Sequence, residues 1–481
     1  MLWLVAGLLA PWFAAYVLVR WCDRDGAGVV ARWFHVSTAA GIGLGLSSCT
    51  YFLWLQVLGV PGRIYQVVEV LGFAAAGLVG LAAVRVSPSM ACASQRLPLS
   101  AYRWQKRLLA IYVIVLTFGL LGIAAIYCAE PHGGWDAWDV WNMRARFLFR
   151  SGDGWHQAFA PVFQHADYPL LVPISVARCW SYLGRDPTWT PLLVGSLFTF
   201  AAVGTLTAGI SRLRSPSQGM LAGIVLSGTA AYLSQGASQF ADVPVGMFLL
   251  ATVLLLALYD VSDSSSRRLL FLAGLTAAMA AWTKNEGLLL LVIVLAVRSV
   301  VAWRRGGGPS AARQIAFCIA GAAPVIGIVI LFKLTLATHN ELVGGQSWQT
   351  SLRRLLDASR YWFIAKSLAY FAFRVSKGFA VVLPLYFLLV GRTRTPASRA
   401  LPAIVGVIAT AMAGYFLVYV VTPYDLHWHV TSSADRLILQ LWPSALVAIF
   451  LCLSDPVRQI ADASTAAPPP TASGSVPRSA L

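Results

Sequence analysis

Residues 133–149 read GGWDAWDVWNMRARFLF and place two carboxylates, Asp136 and Asp139, within a tryptophan-rich run. On an α-helix, positions three apart share a face, so both acids would be offered to one side. Trp135, Trp138 and Trp141 suit the headgroup layer of a bilayer. A carboxylate held at such an oily surface has a raised pKa, which makes it a better general base. The same residues also make an interfacial helix with solvated charges and tryptophan anchors. Arg144 adds a cation to the segment.

Four further stretches carry ionisable groups. QHADYPLLVP, 164–173, brings His165, Asp167 and Tyr168 ahead of a proline-broken helix, where a solvated loop with a helix-start Asp is the plain alternative. SQGASQFADVP, 234–244, puts Asp242 at a helix start, a position where Asp commonly caps. AWTKNEGLL, 281–289, packs Lys284, Asn285 and Glu286 between two apolar runs, where Lys and Glu also pair or snorkel. TPYDLHWHVTSSADRLILQLWP, 422–443, holds Asp425, His427, His429, Asp435 and Arg436. His-x-His resembles a strand-type metal pair, but two histidines are a weak metal signal. Each stretch alone has an ordinary structural explanation. Together they supply carboxylate, imidazole and cation from five separate segments.

The elements that must position them are apolar. The chain is 58% hydrophobic and 11% charged, with 481 residues, far from the quarter charged of soluble domains. Mean hydropathy is +0.70, so the fold class is an all-α polytopic membrane protein. The net charge of +17 does not imply nucleic acid, because no basic groove with interleaved aromatics is present. The seven cysteines form no CxxC, which argues against a disulfide framework and a zinc site. Abundant Arg, Ala, Gly and Val with little Lys suggest a GC-rich bacterial genome. The first apolar run lacks a charged leader and meets Arg20, Arg24 and Arg32 on its far side, so it reads as a retained span.

About 13 spans are expected, near 2–19, 36–59, 66–84, 108–128, 191–210, 218–234, 240–259, 268–283, 287–303, 314–335, 379–391, 400–421 and 437–453. YPLLVPISVARCWSYLG, 168–184, tests the topology. If it crosses, the basic loops at 211–218 and 303–313 face outward, against the positive-inside pattern. If it lies along the surface, the arginine-bearing loops at 20–35, 85–107, 211–217, 303–313 and 391–399 all fall inside. The surface reading is therefore preferred. The outer side then collects 129–190, 235–241, 284–286, 336–378 and 422–436. The chain divides into a three-helix extension at 1–107, a core at 108–453 and a disordered cytoplasmic tail at 454–481. A carrier would place ionisable groups at mid-span on broken helices; here mid-spans are mostly clean, apart from Lys333 near one end.

These residues carry a resemblance. WDAWDVWNMRARFLF, HADYPLLVP, SQFADVP, TKNEG and DLHWHVTSSADRLILQLWP, in that order over 129–443, resemble the GT-C class of integral-membrane glycosyltransferases, which includes protein O-mannosyltransferases and aminoarabinose transferases. The resemblance implies a GT-C-type core with interfacial helices in the first large outer loop, in a bacterial inner membrane. It also implies a donor sugar on a polyprenyl phosphate, transferred at the extracytoplasmic face. The family's first-loop acid falls on Asp136, with Asp139 as the alternative alignment, and its later outer-loop acid falls on Asp242. The usual Pro-Pro pair is replaced by DYPLL, which loosens the alignment of His165 and Asp167.

In that chemistry Asp136 is the candidate base for an acceptor hydroxyl, and one base with an in-line leaving group gives inversion. Asp242 would orient the acceptor or Asp136. Arg436, Lys284 and Arg144 are candidates to hold the donor phosphate. His165, Asp167, Tyr168, Glu286, His427 and His429 are candidate substrate contacts. Cations alone can hold one phosphate, so no cofactor and no obligatory metal are expected. The acceptor is a glycan, lipid or protein hydroxyl that the residues do not specify. Rival readings are a flippase or transporter of lipid-linked sugar, a polysaccharide polymerase or ligase, and a structural scaffold.

Overall fold

The computed structural model describes residues 1–84, 99–262, 266–338, 347–393 and 395–465. Parts of the expected loops 85–107, 336–378 and 391–399, and of the tail 454–481, lie outside the described residues. The chain begins with three long helices, α1 (Leu2–Cys22), α2 (Gly28–Leu58) and α3 (Arg63–Ala83). Next come α4 (Leu99–Ala129), a π-helical turn at Ala137–Trp141 running into α5 (Asn142–Arg150), and α6 (Leu171–Leu183). The middle of the bundle is α7 (Trp189–Leu213), α8 (Pro216–Gly228), α9 (Ala230–Ala237), α10 (Asp242–Val261) and α11 (Arg267–Thr283). It closes with α12 (Asn285–Thr335), α13 (Trp348–Leu356), α14 (Ala358–Ser376), α15 (Phe379–Val390), α16 (Leu401–Val421), α17 (Leu426–Cys452) and α18 (Pro456–Thr465). No β-strand occurs among the described residues.

Nine helices among the described residues are long and apolar enough to cross a membrane, or ten if the bent pair α14–α15 is one span. The other runs read from hydropathy fall on shorter or broken helices. The run 218–234 is broken at Thr229, which leaves α8 with 13 residues and α9 with 8. α11 is only 17 residues long. α15, 12 residues long, is bent 76° from α14. The runs 287–303 and 314–335 are two helices of α12 that meet at a break, where Gly306 and Gly307 leave helical dihedrals.

α10 forms the centre, with nine-tenths of its apolar window inside the protein, whereas α4 turns most of its surface outward. Leu109, Ile111, Val113 and Phe118 on α4 are exposed, as lipid-facing residues should be. α11 and the second half of α12 cross where glycines let their backbones meet. A Cβ on Gly274 would lie 1.8 Å from the Cys318 carbonyl oxygen, and one on Gly321 would lie 1.8 Å from that of Phe271. Such small-residue crossings are a standard device of membrane helices.

The N-terminal helices are not set apart from the rest. α2 runs along α7, and α1 and α2 both pack on α6. Arg178 of α6, expected on the bilayer surface, is fully buried instead. Its Nε donates to both oxygens of Glu69 on α3, at 2.9 and 2.8 Å. Tyr65 and Tyr182 add their hydroxyls to the same carboxylate at 2.5 and 2.6 Å, and Thr50 adds a longer one at 3.2 Å. A second Arg178 nitrogen reaches the Gly7 carbonyl of α1. So α6 is roofed by α1, α2 and α3 rather than by lipid. The three helices left unassigned by the sequence hold the helix that follows the 164–168 segment.

The tail also differs. Pro456–Thr465 is a helix, and its Val457 and Ala461 pack on Ala101 of α4. The basic loops meet at one end of the bundle. Arg212 pairs with Asp23, Arg214 donates to Thr395 at 2.8 Å, and Arg305 donates to the Arg399 carbonyl at 2.6 Å. The start of α10, the α11–α12 turn and the start of α17 lie at the opposite end.

Candidate functional site

At that second end lies a cavity of about 470 Å³, within the range of small-molecule sites. Its walls come from the lead-in to α5, the 164–168 segment, the α11–α12 turn, the end of α16 and the start of α17. Asp136, Asp167, Lys284, Glu286 and Arg436 face it, with an aromatic rim that includes Trp135 and Trp428.

The lead-in starts with two glycines for a structural reason. Gly133 has φ of 77°, and a Cβ there would lie 2.8 Å from the Ser238 carbonyl oxygen. Gly134 N donates to that same carbonyl at 3.2 Å, tying 133–134 to the loop before α10. Asn142 reinforces the tie by donating to Gln239 Oε1 at 2.7 Å. Gln239 and His165 both adopt positive φ, at 64° and 53°, which is rare outside glycine. His165 lines the cavity, and Gln239 lies in the loop to which the lead-in is tied.

Asp136 and Asp139 do not share a face. The turn that follows Asp136 is π-helical over Ala137–Trp141, so each residue advances less around the axis. Asp136 faces the cavity and Asp139 is not among its walls. The tryptophans also divide. Trp135 and Trp138 are exposed and meet edge to face at 4.6 Å, while Trp141 is buried and stacks on Tyr168 at 5.6 Å.

Arg436 is the hub. Its Nη1 lies 2.6 Å from Asp136 Oδ2, and its Nε donates to Asp242 Oδ2 at 3.0 Å. The guanidinium also lies 4.9 Å from the Phe240 ring centroid, a cation–π distance. Asp242 is fully buried. Its Oδ1 accepts from Lys284 Nζ at 3.0 Å and from Gln440 Nε2 at 2.6 Å. Lys284 in turn lies 2.8 Å from Glu286 Oε1. Asp242 is therefore a buried anchor for two cations, not a group open to an acceptor as the sequence reading allowed. Asp136 is ion-paired too, so it is not the isolated carboxylate at an oily surface that the sequence suggested.

Asp167 is nearly buried and accepts from Asn285 Nδ2 at 2.7 Å. Lys333, from the far end of α12, donates to the Asp167 carbonyl at 2.5 Å and to Asn285 Oδ1 at 2.8 Å. His165 stacks on Tyr168 at 4.6 Å. Burial first, and the Glu286 carboxylate second, push the Tyr168 phenol well above its ordinary pKa. Tyr168 thus stays a neutral hydroxyl at any working pH.

Of three further expected site residues, two are elsewhere. Arg144 is buried behind the wall and donates to the Gln164 carbonyl at 2.7 Å, so it supports the loop and does not face the cavity. His427 is exposed outside the cavity, with its ring 5.8 Å from Phe363. His429 lines the cavity and shares a 2.7 Å hydrogen bond with Thr422. The two histidines lie on a helix, not a strand, and two steps of a helix turn side chains apart. Among the described residues no three His, Cys, Asp or Glu side chains form a group able to hold a metal. Sequence reasoning missed Gln440, Asn285 and Lys333 as site-builders. Gln440 had a signal, since it stands four residues after Arg436 on the same helix face.

The arrangement offers a paired carboxylate and two cations at the rim of an apolar bundle, with neutral hydroxyls and exposed tryptophans around them. No family model, no curated protein and no solved structure matches this chain.

Proposed function

We propose that the protein is a membrane glycosyltransferase of GT-C type. It would move a sugar from a polyprenyl-phosphate donor to an acceptor hydroxyl, with inversion. One observation carries the reading: Arg436 holds Asp136 and Asp242, acids from two separate segments, on a single guanidinium inside the cavity. A guanidinium matches phosphate as well as carboxylate, so the donor phosphate competes with Asp136 for Nη1. Lys284, anchored on the other oxygen of Asp242, supplies the second cation.

In this mechanism donor binding releases Asp136, which then takes the acceptor hydroxyl proton. The acceptor oxygen bonds to the anomeric carbon as the bond from that carbon to the phosphate oxygen breaks. The bonding electrons leave with the polyprenyl phosphate, whose growing charge is met by Arg436 and Lys284. The apolar wall of Leu289, Val418 and Leu437 gives the isoprenoid chain a route toward lipid. The basic loops at the opposite end support an orientation with the cavity on the extracytoplasmic side of a bacterial cell membrane.

The test is conversion of radiolabelled polyprenyl-phosphate sugar in membranes holding wild type or Asp136→Asn at matched levels. Consumption by wild type and none by the variant supports Asp136 as the base. Equal consumption overturns that role. Scrambling of the donor between leaflets without consumption turns the reading to a flippase.

A further inference from the structure

One carboxylate oxygen in the cavity has no role in the ion-pair relay. Glu286 Oε1 faces Lys284 at 2.8 Å, but its Oε2 is buried from solvent with no hydrogen-bond partner among the described residues. A buried carboxylate oxygen without a donor is costly, and sites that keep one commonly do so for a ligand. Glu286 sits at the second position of α12 on the cavity wall, and its ion pair with Lys284 holds the carboxylate in place. Its neighbours are hydroxyl-bearing or amide side chains: Tyr168 is near enough for the Glu286 charge to raise its phenol, and Asn285 beside it is committed to Asp167 and Lys333.

Resting on the glycosyltransferase reading, we infer that Glu286 reads the transferred sugar, its Oε2 accepting a hydrogen bond from one ring hydroxyl of the donor. Lys284, which Glu286 shares with Asp242, occupies Oε1, so the open place at Oε2 takes a donor, and a sugar ring supplies one as a neutral hydroxyl. The geometry separates two tasks. Arg436 and Lys284 hold the phosphate that every polyprenyl donor shares. Glu286, paired with Lys284 on the same cavity, meets the part that differs between donors. A site built around such a bond rejects sugars that lack the hydroxyl, because the carboxylate then stays unpaired.

The experiment compares binding of two probes to the purified full-length protein in nanodiscs. One is undecaprenyl phosphate without sugar; the other is a set of undecaprenyl-phosphate hexoses and their single deoxy analogues. Wild type is expected to bind at least one hexose donor more tightly than the bare lipid. One deoxy position should remove that increment. Glu286→Leu, close in shape but without oxygens, should remove the same increment, about tenfold to a hundredfold, at that same position. Glu286→Gln should retain part of it, which shows that the site is still folded. Full discrimination by Glu286→Leu overturns the sugar-reading role while leaving the glycosyltransferase reading intact. Failure of wild type to bind either the bare lipid or any hexose donor overturns that reading and this inference with it.

Discussion

Replacing Arg436 by lysine tests the central geometry while keeping the charge. The guanidinium uses Nη1 for Asp136 at 2.6 Å and Nε for Asp242 at 3.0 Å, so one planar group spans two acids. An ammonium is a point charge on a longer flexible stem and does not reproduce that fork. At least one charge-assisted hydrogen bond is then lost, and each is worth about 1.5–3 kcal/mol. At 1.4 kcal/mol per factor of ten, donor turnover should fall about tenfold to a hundredfold. Asp242 keeps Lys284 and Gln440, so its burial remains partly compensated and the protein should still fold. The assay is the initial rate of labelled donor consumption in membranes, with thermal unfolding in detergent followed by tryptophan fluorescence. A Lys variant that turns over donor within threefold of wild type refutes the reasoning, because the bidentate fork would then do nothing a point charge does not.

Two structural predictions accompany it. Glu69→Gln leaves Arg178 buried with only neutral partners, which should cost about 3–5 kcal/mol and lower thermal stability sharply. The double variant Glu69→Gln with Arg178→Met should recover part of the loss, and a single variant as stable as wild type would contradict the pairing. Gly321→Ala drives a methyl into the Phe271 carbonyl and should cost roughly 1–3 kcal/mol, read as a lower unfolding temperature. Gly327→Ala, on the same helix with open space around it, should be near neutral.

The residues of the candidate site were legible because they are out of place in oily sequence. Asp136, Lys284 and Arg436 interrupt apolar runs, and the structure places all three on one cavity. Two kinds of information were not local. The first is the phase of a helix: an ordinary α-turn after Asp136 would have kept Asp139 beside it, and only the π-helical turn moves it away. The second is pairing at long range. Lys333 meets Asp167 across 166 residues of chain, and Arg178 meets Glu69 across 109, distances that no hydrophobic period encodes. Arg178 was therefore read from its own segment as a surface cation. Hydropathy likewise registers apolar composition but not the helix breaks at Thr229 and Gly306–Gly307.

The Glu69 cluster has a consequence for how the chain is made. Glu69 enters the bilayer on α3 with Tyr65 on its own helix and Thr50 on the one before, both already synthesised. Its cation and Tyr182 arrive only with α6, and Arg178 lies 109 residues downstream. At ribosomal speeds of about 5–20 residues per second that is a wait of roughly 5–20 s. Over that interval Glu69 has only the hydroxyls of Tyr65 and Thr50 from this cluster to meet it. The first three helices are thus born before the partner that locks them, and the arrival of α6 is the step that commits them to the bundle.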